Sequence, residues 1–287
     1  MSPPHIFLYL VVIVSAANEV IYAIGSRKLG LRSRSQVRTF YRRRVILKLY
    51  KLSPSEKEVL KLYSSYYVNL PDAFLRRRFE RKVARFLRKK KFISRVKAGH
   101  ISKIQKLHIA ACAIEITFGL PEIYLQHFDK VILYDSDYYS TITRKYHKGE
   151  VNVRGIIVLS WQHFKEGYEL PDNGHNLGLH EMAHALLLEN KVTNDEFDYL
   201  SPKYLSKLVT YIEDVRSNPY HPIRSFFRSY AFTDDFEFFS VAVESFFERP
   251  EEFIAADQRL YSIIREVLSQ DPHHGYYGFS DKKNSLV

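Results

Sequence analysis

Leu179-His180-Glu181-Met182-Ala183-His184-Ala185-Leu186 is the stretch on which the reading of this chain turns. On an α-helix, His180 and His184 stand one turn apart, so both imidazoles leave the same face. Two neutral ring nitrogens at that separation can share one Zn²⁺ as half of a tetrahedral shell. Glu181 lies beside the pair, near enough to take a proton from water without itself ligating the ion. The competing reading is an ordinary amphipathic helix with solvated or hydrogen-bonded histidines. Leu177, Leu179, Leu186, Leu187 and Leu188 argue against it, because they make the helix apolar enough to be buried. Asp172, Asn173 and Gly174 supply turn and cap chemistry ahead of it. Titratable histidines in a buried helix need partners, and a shared metal provides them. The pattern points to metal-assisted hydrolysis of amide bonds.

A hydrolytic zinc site takes a third protein ligand and leaves one position open. Downstream, Glu189, Glu213, Asp214, Glu237, Glu244 and Glu248 carry suitable oxygens. Glu189 is five residues beyond His184, roughly 140° around an ideal helix, and should face elsewhere. Glu213 and Asp214 fall on an expected helix over residues 204–217. Glu237 and Glu244 are seven apart in an aromatic-rich helix and so nearly share a face. One could ligate while the other orients a ligand, and spacing does not choose between them. His175 lies off the metal face, which suits a capping or supporting contact. His273-His274 could bind metal only adventitiously.

Gly174-His175-Asn176 ahead of the histidine helix, Tyr230 seven residues before Glu237-Phe238-Phe239, and Val158-Leu159-Ser160-Trp161 together resemble the Mlc titration factor A family of zinc-dependent peptidases. That family is similar in turn to the catalytic domain of anthrax lethal factor. The resemblance covers roughly residues 50 to 255. It implies one Zn²⁺ per chain, with Glu237 as third ligand beside His180 and His184, and Glu181 as general base. Tyr230 becomes a phenol that donates to the oxyanion of the tetrahedral intermediate, where a preorganised donor acts on developing charge. Glu244 matches a glutamate common in that helix, with a supporting role. The resemblance implies a peptide or protein substrate. It also implies an alternative: a regulatory protein that sequesters a transcriptional regulator, with weak or secondary peptidase activity. A purely structural zinc site is disfavoured, because such sites close all four positions with protein.

Composition sets the remaining bounds. Apolar residues make up 46% of the 287, enough for a sizeable core. The single cysteine, Cys112, excludes an intrachain disulfide and a cysteine-based zinc site. Residues 6–17 carry no charge, and after Asn18 and Glu19 the chain is apolar again to Gly25. That length could cross a bilayer. Residues 27–51 then hold ten Lys or Arg and no acid. The positive-inside bias would place the chain beyond them in the cytoplasm, as a single-pass protein of the inner membrane; a cytoplasmic protein is the alternative. A polybasic stretch beside a membrane attracts anionic lipid. Nucleic acid is not expected as a partner, because no recognition motif accompanies the net charge of +11.

The expected organisation is a membrane anchor over residues 1–26, a basic connector over 27–52, a zinc metallopeptidase domain over 53–270 and a flexible tail over 271–287. The fold class is α+β: a mainly helical, zincin-like domain with a small sheet, preceded by the membrane helix. Helices are expected over residues 55–68, 71–92, 101–118, 204–217, 235–248 and 250–268. Strands are expected at 131–134 and 153–160, with a polar loop between them containing Lys148-Gly149-Glu150. Residues 153–159 are the candidate edge for binding extended peptide.

Overall fold

A computed structural model describes residues 51–120, 125–140, 144–170, 174–192 and 200–278. Local chemistry sets where the first helices begin. α1 (Pro54–Tyr63) opens with a capping box, Ser53 and Glu56 each bonding the other's backbone N–H, and with Pro54 in the first turn. α2 (Ser65–Val68) is a single turn capped by Ser64. α3 (Ala73–Lys89) starts at Asp72 and buries Leu75, Phe79, Val83 and Phe86, which recur at helical spacing. Of the intervening basic residues Arg77 and Arg81 are exposed, Arg76, Arg78 and Arg85 are half-buried, and Lys82 is buried and donates to Leu120 O at 3.0 Å.

α3 stops at Lys89 and does not continue through Phe92, because the next residues form strand β1 (Lys91–Arg95). β1 pairs in parallel with β2 (Lys130–Tyr134), and Phe92 lies opposite Val131. Between them α4 (Lys103–Thr117) opens with a Ser102–Gln105 capping box and is buried continuously from Leu107 to Thr117. Cys112 lies in that run, its thiol pushed up by burial.

The region expected as a polar loop is strand-rich. β3 (Tyr138–Ser140) pairs antiparallel with β4 (Lys145–His147), and β5 (Gly149–Asn152) pairs antiparallel with β6 (Ile156–Ser160). The main sheet runs β1-β2-β6-β5, with β6 parallel to β2. This corrects the expected edge at residues 153–159. Residues 153–155 lie in the turn, and β6 has neighbours on both sides, so β5 is the edge at this end of the sheet and β1 the edge at the other. Apolar content suggested the opposite: Ile156, Ile157, Val158 and Leu159 look like a strand, whereas Gly149-Glu150-Val151-Asn152 does not. A strand packed on both faces is the apolar one, while an edge can be polar.

α5 (Trp161–Glu169), not foreseen in the sequence, follows β6 directly, with Ser160 as its N-cap. α6 (Leu177–Val192) carries the two histidines and packs between α4 and α9 (Asp235–Glu248). It is buried nearly all round, and Gly178 lets it approach α4 and α5: a Cβ there would stand 2.6 Å from Phe164 and 3.0 Å from Cys112 Sγ. Its cap is Asn176, whose Oδ1 accepts from Leu179 N at 3.1 Å; of the expected cap residues, 172 and 173 lie outside the described residues. α7 (Pro202–Ser217), α8 (Ile223–Phe226), a 3₁₀ turn (Ser229–Phe232) and α10 (Pro250–Leu268) complete the body. Beyond α10 the chain stays packed for a stretch. Asp271 is buried and accepts from Tyr261 Oη at 2.7 Å, and Tyr277 is buried as well.

The expected single-pass membrane location is not retained. Among the described residues no helix is long and apolar enough to cross a membrane. Residues 1–26, on which that expectation rested, lie outside the described residues, as do residues 27–50 of the basic connector.

Candidate metal centre

Three side chains from two helices, His180, His184 and Glu237, converge beside a cavity of about 520 Å³ whose lining includes His180 and Glu181. α6 presents His180 and His184 with their Nε2 atoms 3.0 Å apart. α9 supplies Glu237 from its first turn, where the Asp234 side chain accepts from Phe236 N and Glu237 N at 2.8 and 2.9 Å. Glu237 Oε2 stands 3.1 Å from His180 Nε2, and its Oε1 stands 3.4 Å from His184 Nε2. A tetrahedron with ligand bonds of 2.0–2.1 Å has edges of about 3.3 Å, close to the separation of the two imidazole nitrogens and to that of each from one of the two Glu237 oxygens. Glu237 Oε2 is also buried without a hydrogen bond, as an oxygen reserved for a cation would be.

The electrostatics point the same way. Burial would lower the His180 imidazole, but contacts with Glu237 and Glu244 outweigh it and carry it up to about 10. Burial likewise opposes ionisation of Glu237, and the two imidazoles nevertheless hold it well below the usual carboxylate range. The site favours positive charge at the point where the three donors meet.

Glu237 and Glu244, indistinguishable by spacing, take opposite sides of one imidazole. Glu244 is 1% exposed and its Oε1 lies 2.7 Å from His180 Nδ1. A carboxylate there makes Nδ1 the donor and leaves the Nε2 lone pair for a metal. Glu244 is itself held by Arg228, whose Nη2 donates to Oε1 at 2.6 Å, and by Asn176 N, which donates to Oε2 at 2.8 Å. Burial raises the Glu244 carboxyl, and its bonds to His180 and Arg228 bring it net below its ordinary value. Nothing in the sequence singles out Arg228 among the arginines; only the return of the chain ahead of the 3₁₀ turn brings it here.

Glu181 is buried under β5 at the same cavity. Burial pushes its carboxyl up, against the pull of His180 and His184. Gly149 of the edge strand passes so close that a Cβ there would stand 2.5 Å from Glu181 Oε1. Tyr230 is half exposed at the rim, and its hydroxyl donates to Glu237 Oε1 at 2.8 Å. Burial and Glu237 both raise that phenol, so it stays protonated.

The other candidates fall elsewhere. Glu189 is buried at the far end of α6 and accepts from Gln126 N at 2.7 Å. Glu213 and Asp214 are exposed on α7, and Asp214 faces Arg259. Glu248 accepts from Asn176 Nδ2 at 3.1 Å. His175 is exposed and lines the cavity, while the capping role falls to Asn176.

Two imidazoles one turn apart on a buried helix, a glutamate between them, a carboxylate from a second helix and a sheet edge alongside are the parts of a metallopeptidase. The chain belongs to the family described as glucose-regulated metallo-peptidase M90, whose model matches residues 37–268. No curated protein matches it. Membership implies a metal ion and a peptide or protein substrate.

Proposed function

We propose that this protein is a zinc-dependent peptidase in which His180, His184 and Glu237 hold the ion and Glu181 is the general base. Zinc, when bound, supplies a Lewis acid that makes water acidic near neutrality and polarises a carbonyl oxygen. The observation that carries the reading is the meeting of three donor groups at tetrahedral-edge distances, with Glu181 beside them but outside the set. Glu181, its pKa raised by burial, accepts a proton from the attacking water and returns it to the leaving amine. Tyr230, kept protonated at the rim, donates to the developing oxyanion. Glu244 and Arg228 fix the His180 ring so that Nε2 faces the ion. β5 pairs only with β6 among the described residues, and its other edge offers main-chain groups to an extended peptide.

The test is cleavage of a mixed peptide library by the full chain with zinc, with chelator, and as Glu181→Ala and His184→Ala. Chelator-sensitive cleavage is expected, lost in Glu181→Ala with zinc retained and lost together with zinc in His184→Ala. Cleavage by Glu181→Ala at the wild-type rate would remove Glu181 as the base. A folded, zinc-loaded wild type that cleaves nothing would favour the sequestering of a transcriptional regulator.

A further inference from the structure

A second cavity, of about 1020 Å³, opens on the opposite side of α5 from the metal centre. α1, α2, α4, α5 and the α9–α10 junction enclose it, and Gly167 and Asn176 form the wall it shares with the metal-site cavity. None of the peptidase chemistry above uses it.

Its lining combines aromatic faces with carboxyl groups. Trp161 and Tyr168 come from α5 and Tyr63 from α1; their ring centroids lie 6.0, 4.5 and 5.6 Å from that of His108. Glu115 and Glu248 lie on the lining, with Glu251 where α10 begins. The two basic residues of the lining are already paired, Lys165 with Glu169 at 3.1 Å and Arg249 with Glu252 at 3.4 Å.

One buried polar group on the lining has unused capacity, beside a buried carboxyl. His108 is 5% exposed, and its Nε2 has no hydrogen-bond partner. Glu115 is 7% exposed, and its Oε2 accepts from Tyr168 Oη at 3.2 Å. A polar atom buried unmet is costly, and a ligand that donates to His108 Nε2 recovers that cost. Burial pushes the Glu115 carboxyl up to about 8, so an arriving cation would find a group it can ionise.

We infer that this cavity binds a small organic cation with a guanidinium head group, received by Glu115 and Glu248 and stacked against Trp161 and Tyr168. A guanidinium suits these walls better than an ammonium, because it is planar, weakly hydrated, stacks on aromatic rings and donates two parallel bonds to a carboxylate. The site stands or falls independently of the zinc chemistry.

Trp161 is the only tryptophan in the chain, so its fluorescence reports this cavity alone. The zinc-loaded full chain is titrated with butylguanidinium and, in parallel, with butylurea, its neutral isostere. A saturable change with butylguanidinium, at least tenfold weaker with butylurea, is expected. Glu115→Gln keeps the acceptor for Tyr168 and should weaken binding at least tenfold; Glu248→Gln provides a second variant should that one not fold. An arginine-containing tetrapeptide binding more tightly than butylguanidinium would assign the head group to a peptide side chain, and the reverse order to a free small molecule. Equal responses to the two isosteres, no saturation, or wild-type affinity in both folded variants would overturn the proposal.

Discussion

Gly149→Ala tests the assignment of the base without touching it. A Cβ at this position would stand 2.5 Å from Glu181 Oε1 and 2.6 Å from both Cδ and Cγ, where ordinary contact begins near 3.4 Å. Glu181 would have to retreat by about 1 Å, and it is only 6% exposed, with little room to do so. A displacement of that size at a reacting group costs about 10²-fold in turnover, equivalent to about 2.7 kcal/mol of barrier. The clash with a buried side chain should lower stability to some extent, partly offset because replacing glycine by alanine restricts the unfolded chain. His180, His184 and Glu237 lie outside the clash, so zinc affinity should stay within about threefold, a shift of under 1 kcal/mol. The assay is kcat/KM on a fluorogenic peptide cleaved by the wild type, with metal content and thermal melting recorded on the same samples. In a Glu181→Ala background the glycine change should cost nothing further, since the group it displaces is gone. A folded, zinc-loaded Gly149→Ala enzyme within threefold of wild type would refute the reasoning, as would parallel loss of zinc and activity.

Arg228→Met should weaken zinc binding by roughly 10–100-fold, because Glu244 loses the guanidinium that orients it against His180; chelator competition measures this, and unchanged affinity would remove Arg228 from the support of the site. Glu115 has its folded pKa raised from 4.5 to about 8, so the stability it contributes is fully present below 4.5 and is lost as pH rises through 8. Between pH 5 and 7.5 the wild type should therefore lose about 3 kcal/mol relative to Glu115→Gln in urea unfolding, and a pH-independent difference would show that Glu115 is not held protonated.

Much of the site was legible because its signal is local. His180, Glu181 and His184 lie within five consecutive residues on one helix, and helix geometry alone sets their relation. The helices at Asp235–Glu248 and Pro250–Leu268 were also readable, their boundaries marked by Asp234 and by Pro250. β1, β5 and α5 were not, since each owes its existence to neighbours. Gly149-Glu150-Val151-Asn152 has no strand pattern and becomes a strand because β6 offers it a ladder. Lys91-Phe92-Ile93 leaves the preceding helix because β2 receives it in parallel.

The chemical type of the centre, two histidines with an adjacent carboxylate, was determined by sequence alone, because it depends on contacts three and four residues apart. Which distant groups complete it was decided only in three dimensions. Glu237 and Glu244 have the same side chain on nearly the same helix face; one reaches Nε2 of His180 and the other Nδ1 because α9 crosses α6 with its first turn beside the two Nε2 atoms and its third behind the His180 ring. Arg228, Asn176 and Gly149 join from three separate loops and strands, for which no local pattern exists. Short-range geometry follows from the helix repeat, whereas long-range pairing depends on how the helices and sheet pack around a shared core.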